Sequence, residues 1–155
     1  MSNSFYRDRI LWRAGKHRLL DRRCILYSDA SDEQSAVVGD ALGGSIDGVL
    51  LFWESRERWT LLAETFVASY HHDNLNRCNL DAIDKQMSVP SLAPDVESPR
   101  KHDAEYILLK KSGQLIWAPN GNELFALMNI LLMFPLRKST PDRSDGTQGN
   151  GTAPV

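Results

Sequence analysis

The stretch DGVLLFWESRERWTLLAETFVASYHHDNLNRCNLDAID, residues 47–84, decides how the chain folds. It is a series of short apolar runs parted by brief polar turns, each run too short for a helix. GVLLFWE (48–54) is nearly continuous in apolar residues, the pattern of a strand buried on both faces. SRER then turns the chain into WTLLA (59–63). In FVASYH (66–71) strand alternation puts Phe66, Ala68 and Tyr70 on one face. HDN (72–74) supplies the residues of a tight turn. LNRCNL (75–80) then alternates, with Asn76, Cys78 and Leu80 on one side, and DAIDKQMSV (81–89) reads as a further strand ending at Pro90. Consecutive strands with short turns make an antiparallel sheet, not a β-α-β array.

The flanks complete the layout. Residues 5–20 read as a helix with an apolar stripe of Phe5, Ile10, Leu11, Ala14, Leu19 and Leu20, interrupted by Gly15. CILYS (24–28) is a candidate short strand. Ser31-Asp32-Glu33-Gln34 is a capping box, and the helix it opens stops at Gly43-Gly44, a left-handed C-cap. Residues 90–104 hold three prolines and no aromatic, the composition of a mobile loop. YILLKK (106–111), a Ser112-Gly113 turn and QLIWA (114–118) form a hairpin. Asn120–Glu123 reads as a second capping box before a last helix, 121–134, stopped by Pro135. Residues 137–155 are expected to be a disordered tail. The whole is one α+β domain over 1–136, with a helical N-terminal extension over 1–45. It is expected to be a strongly bent antiparallel sheet, or partly open barrel, of about seven strands closed by the C-terminal helix.

That last helix carries more apolar surface than one buried stripe needs. Between Leu124 and Phe134 only Asn129 is plainly polar. Leu124, Phe125, Met128, Leu131 and Leu132 are expected to plug the sheet, leaving Leu127, Ile130, Met133 and Phe134 to be covered by helix 5–20 or by a partner.

The order of elements over residues 46–134 resembles that of pleckstrin-homology-like domains. Residues 47–84 are similar to small bacterial proteins of that kind: a glycine-led strand, a tryptophan strand, then an aromatic strand and a turn. Such stand-alone modules include immunity proteins that bind and silence a cognate toxin. The resemblance therefore implies a binding protein with a toxin as partner; the two isolated cysteines point to a reducing cytoplasm, and the lack of any catalytic motif to a non-catalytic protein without a cofactor.

Charge is uneven along the 155 residues, although the net is only −2, which argues against a general nucleic-acid binder. Residues 1–23 hold seven basic side chains against Asp8 and Asp21, whereas 24–49 hold five acids and no base. This is either a local complement between neighbouring elements or a basic face for a partner. Cys24 and Cys78 lie far apart and outside any C-x-x-C, so neither a disulfide framework nor a zinc site is expected. No apolar run has the length of a signal peptide or a membrane span, so stable membrane insertion is not expected.

Motifs with chemistry are sparse. His71-His72-Asp73 is the most tempting cluster, but neighbouring strand residues point to opposite faces, so a solvated turn is the simpler reading than a shared metal. A small ligand- or metal-binding barrel, or an enzyme using this trio, is the alternative function. Gly39–Gly44 matches no phosphate loop and follows a helix, not a strand. Cys78 sits beside apolar neighbours with no activating group, as a core thiol would. The turn ESRER has no net charge, which disfavours a lipid headgroup there. Trp12, flanked by Arg9 and Arg13, has the composition of a binding hot spot, although packing onto the domain is the simpler reading, because a tryptophan buries a large area wherever it finds a neighbour. The candidate contact residues are Arg9, Trp12, Arg13, Arg56, Arg58 and His72, with no catalytic and no metal-binding residue. A homodimer through the C-terminal helix is a further candidate assembly.

Overall fold

A computed structural model of the chain describes residues 4–134 apart from 22, 45, 84 and 90–104. The expected loop 90–104, the stop at Pro135 and the tail 137–155 lie outside the described residues. Helix α1 (Ser4–Lys16) leads through a 3-10 turn to β1 (Cys24–Leu26) and then to α2 (Asp32–Leu42). Strands β2 (Gly48–Ser55), β3 (Arg58–Ala63), β4 (Phe66–His71) and β5 (Asn74–Asn79) follow as a meander, with β1 beside β2. A second antiparallel sheet holds β6 (Met87–Ser88), β7 (Tyr106–Leu109) and β8 (Gln114–Trp117), and α3 (Asn122–Leu131) closes the order.

The architecture is α+β, as the sequence predicts, but the strands form two unclosed sheets of five and three rather than one bent sheet of about seven. The edge of β8 shows why. Leu115 and Trp117 carry backbone groups on the side away from β7, and side chains, not another strand, meet them. Ser69 Oγ accepts from the Trp117 N–H at 2.9 Å and Thr60 Oγ1 donates to the Trp117 carbonyl. Asn76 Oδ1 accepts from the Leu115 N–H at 3.3 Å, and His71 Nε2 lies 2.9 Å from the Leu115 carbonyl. Thr60, Ser69 and Asn76 are direct cross-strand neighbours on β3, β4 and β5. They form a polar row across the sheet that satisfies an edge which would otherwise hold buried, unpaired groups.

The segment after β5 also differs. Leu80–Ala82 is a 3-10 turn, and only Met87–Ser88 of the expected strand 81–89 is extended. Leu80 and Ile83 are both buried. A spacing of three brings both inward in a 3-10 turn, whereas strand alternation would expose one of them.

The five-stranded sheet has a core on each face. On one, Leu50, Phe52, Leu62 and Val67 pack with α1, α3 and the second sheet. On the other, Leu51, Trp59, Leu61 and Ala68 pack beneath Val38 of α2. This is the double burial that the unbroken apolar run of β2 predicts. Gly48 opens β2 because a Cβ there would stand 2.5 Å from the Tyr27 ring.

Helix α2 has its capping box: the Gln34 N–H donates to Ser31 Oγ and the Ser31 N–H to Gln34 Oε1. Gly43 ends it in the left-handed region, φ 80°. The second capping box does not form. The N-cap of α3 is Gly121, with φ 92° and no side-chain bond. One residue of shift puts Glu123 at the second helical position, where it cannot close a box. Its buried carboxylate instead accepts from the backbone N–H and the Nε of Arg23, both at 3.2 Å. Burial opposes its ionisation, but the hydrogen bonds from Arg23 outweigh burial and hold the carboxyl below its usual range.

The apolar surplus of α3 is covered by α1. Tyr6, Ile10 and Ala14 are buried in the same core as Leu127, Ile130 and Phe134, and the Tyr6 ring packs on Phe134 with centroids 4.9 Å apart. Leu132, expected to plug the sheet, is 36% exposed instead. The face of α3 left outward carries Asn122, half-buried Phe125, Asn129 and Leu132, a narrow strip.

Candidate functional site

Helix α1 buries Tyr6, Ile10 and Ala14 and so turns the opposite face outward. That face carries Phe5, Arg9, Trp12 and Lys16, spaced four, three and four residues apart as one helical row requires. Trp12 is 46% exposed and Phe5 44%. Three cations surround the indole: Arg9 at 4.7 Å, Lys16 at 5.2 Å and Arg13 at 5.3 Å from the ring centroid. Each lies within the distance at which a cation is attracted to an aromatic face. Among the described residues none of the three pairs with a carboxylate. The Nε of Arg13, buried at the edge of this face, has no hydrogen-bond partner.

Other cations of the chain are committed elsewhere. Arg7 reaches Glu64 at 3.4 Å and Arg23 reaches Glu123. Neither acid lies in the acidic stretch 24–49, and Glu33 of that stretch pairs with Arg56. A complement between the basic N-terminal stretch and its acidic neighbour is therefore not what these pairs form.

The structure brings Arg9, Trp12 and Arg13 together and places the remaining candidates apart. Arg58 lies under its own network: Glu54 at 2.6 Å, Glu105 at 3.1 Å, the Tyr106 hydroxyl at 3.3 Å and the Trp117 ring beneath. It braces the two sheets. Arg56 stands beside Glu33 at 3.7 Å, at the mouth of a cleft under α2. His72 is exposed at the β4–β5 turn, where it and Asp73 adopt positive φ of 51° and 61°.

The histidine pair corrects the sequence reading in two respects. His71 is buried rather than solvated, with burial lowering its pKa. The left-handed backbone of His72 also swings its ring back, so the two Nδ1 atoms lie 3.1 Å apart and not on opposite faces. His71 Nε2 faces both the Leu115 carbonyl at 2.9 Å, which only accepts, and the Asn76 amide nitrogen at 3.2 Å, which only donates, so its tautomer decides which of the two it bonds. The arrangement thus anchors β8 and caps the turn. Among the described residues no cluster of three or more His, Cys, Asp or Glu side chains is placed to hold a metal. Cys24 and Cys78 are free and buried. Burial first, and Glu123 second, push the Cys24 thiol up to about 12, far from a reactive thiolate.

Sequence reasoning missed Lys16, although its place four residues after Trp12 on a helix was a sufficient signal. Among the described residues no helix is long and apolar enough to cross a membrane. No family model, curated protein or solved structure matches the chain.

Proposed function

We propose that the chain is a non-catalytic binding module that docks a partner protein through the outer face of α1. The observation that carries this reading is the half-exposed Trp12 within 5.3 Å of three cations that lack carboxylate partners among the described residues. Tryptophan and arginine are the residues in which binding energy concentrates. Unpaired cations select an acidic patch on the other side. The partner is thus a protein surface rich in Asp and Glu with an apolar pocket for the indole.

The finer reading is an immunity protein that occludes a bacterial toxin in the cytoplasm. The pleckstrin-like order of elements, with a meander, a second hairpin and a C-terminal helix, supports it. The two free cysteines suit a reducing compartment. The test is calorimetric titration of the purified chain against the toxin domain encoded beside its gene. The wild-type chain binds, and Trp12→Ala weakens binding by about 30-fold, the equivalent of about 2 kcal/mol. Unchanged affinity in Trp12→Ala removes α1 as the docking face. Absence of any complex with the wild-type chain removes the toxin as the partner.

A further inference from the structure

On the far side of the five-stranded sheet from α1, a cleft opens between the last turns of α2 and strands β3 and β4. Its volume is about 380 Å³, inside the range of about 300–1,000 Å³ usual for small-molecule sites. Val37 and Ala41 of α2 form an apolar wall, and Trp59 and Tyr70 form the aromatic side, their rings 17° from parallel with centroids 5.9 Å apart. Asp40 and Arg56 are the charged groups of the lining.

These charges do not neutralise each other. Among the described residues the Asp40 carboxylate has no ion pair or side-chain hydrogen bond. Arg56 pairs, among the described residues, with Glu33 alone, at 3.7 Å between two side chains that are each more than 60% exposed, a contact worth little in water. The cleft therefore presents an available carboxylate and an available guanidinium beside an aromatic surface. Trp59 is itself fully buried and its indole N–H, which has no hydrogen-bond partner, is closed to solvent, so Tyr70 is the ring that a ligand meets.

We propose that this cleft binds a small aromatic zwitterion of the α-amino-acid type. Its ammonium pairs with Asp40, its carboxylate forks onto Arg56, and its ring lies against Tyr70. A guanidinium fits a carboxylate through two parallel hydrogen bonds, so Arg56 fixes the orientation. The site lies across the sheet from Trp12 and does not depend on the docking role of α1.

The test uses L-phenylalanine, L-tyrosine and L-tryptophan as probes, followed in amide and indole N–H NMR spectra of the full chain. At least one gives a saturable shift of the Trp59 indole N–H and of amides in 37–41. For that probe, phenethylamine or 3-phenylpropionate, each keeping one charge, binds at least about tenfold more weakly. Asp40→Asn and Arg56→Gln, both at exposed positions, each weaken the amino acid by a similar factor while leaving the remaining spectrum in place. Trp12→Ala leaves the titration unchanged. The proposal is overturned if none of the three amino acids shifts Trp59 saturably, or if the single-charge analogues bind as well as the parent.

Discussion

The free edge of β8 and the outer face of α1 treat polar groups in opposite ways. At the β8 edge, four backbone groups that no strand pairs are each met by a side chain from the facing sheet: Thr60, Ser69, Asn76 and His71. On α1, three cations gather round an indole, and among the described residues none of them pairs with a carboxylate. A buried backbone group left unpaired costs about 1–3 kcal/mol, and at this edge the scaffold satisfies its own. A solvated cation costs nothing to leave unpaired, and it keeps its charge for another molecule. The contrast separates what holds this fold from what it offers outward.

The largest effect on stability is expected where the satisfied edge is broken. Ser69→Ala removes the acceptor of the Trp117 N–H and the neighbour of Thr60, 2.8 Å away, and leaves a buried donor unpaired. Urea unfolding is expected to show a loss of about 1–3 kcal/mol, with the slope unchanged. A loss below about 0.5 kcal/mol would mean that the junction is held by apolar packing alone.

A second break is made with pH. The folded pKa of Glu123 is depressed, so its contribution to stability is full above the unfolded value of about 4.5 and is lost as pH falls through the folded value. His71 is a base with a depressed folded pKa, so the unfolded chain binds its proton first. Its contribution is full above about 6.5 and declines as pH falls below that toward the folded value. Urea midpoints measured against pH are expected to fall in two steps. In Glu123→Gln the lower step is absent, and in His71→Gln the upper one. A single step unaffected by either variant would show that these groups do not carry the pH dependence.

The smallest expected effect on stability is at α1. Trp12→Ala, or Arg9→Gln with Lys16→Gln, removes surface contacts only, and the unfolding free energy is expected to move by less than about 0.5 kcal/mol. A larger loss would make Trp12 part of the scaffold and erase the contrast.

Much of the fold was legible because its signals are local. The alternation in β4 and β5, the double-faced run of β2, the Ser31–Gln34 box and the Gly43 cap all depend on neighbours in sequence. The junction was not legible, because Thr60, Ser69 and Asn76 become a row only after three strands are in register, and β8 arrives from nearly forty residues beyond Asn76. Without that row, seven strands in one sheet is the natural expectation. The Asn120–Glu123 box failed by one residue, since Gly121, whose φ of 92° suits glycine, took the N-cap and freed Glu123 for Arg23. At the candidate site, Arg9, Trp12 and Arg13 were visible as a cluster on a helix. Arg58 was misplaced among them because Glu105 and Tyr106, which bind it, lie across the fold. The convergence of His71 and His72 was hidden by strand periodicity, which fails at a residue with positive φ.

The most direct measurement of the central claim sets both regions in one comparison. A chain carrying Arg9→Glu, Arg13→Glu and Lys16→Glu is titrated calorimetrically against the toxin domain encoded beside the gene, next to wild type. Charge reversal at three unpaired cations is expected to weaken binding by about 100-fold or more, with the urea midpoint close to that of wild type. An affinity equal to that of wild type would contradict the account, because the unpaired cations of α1 would then have no partner to serve.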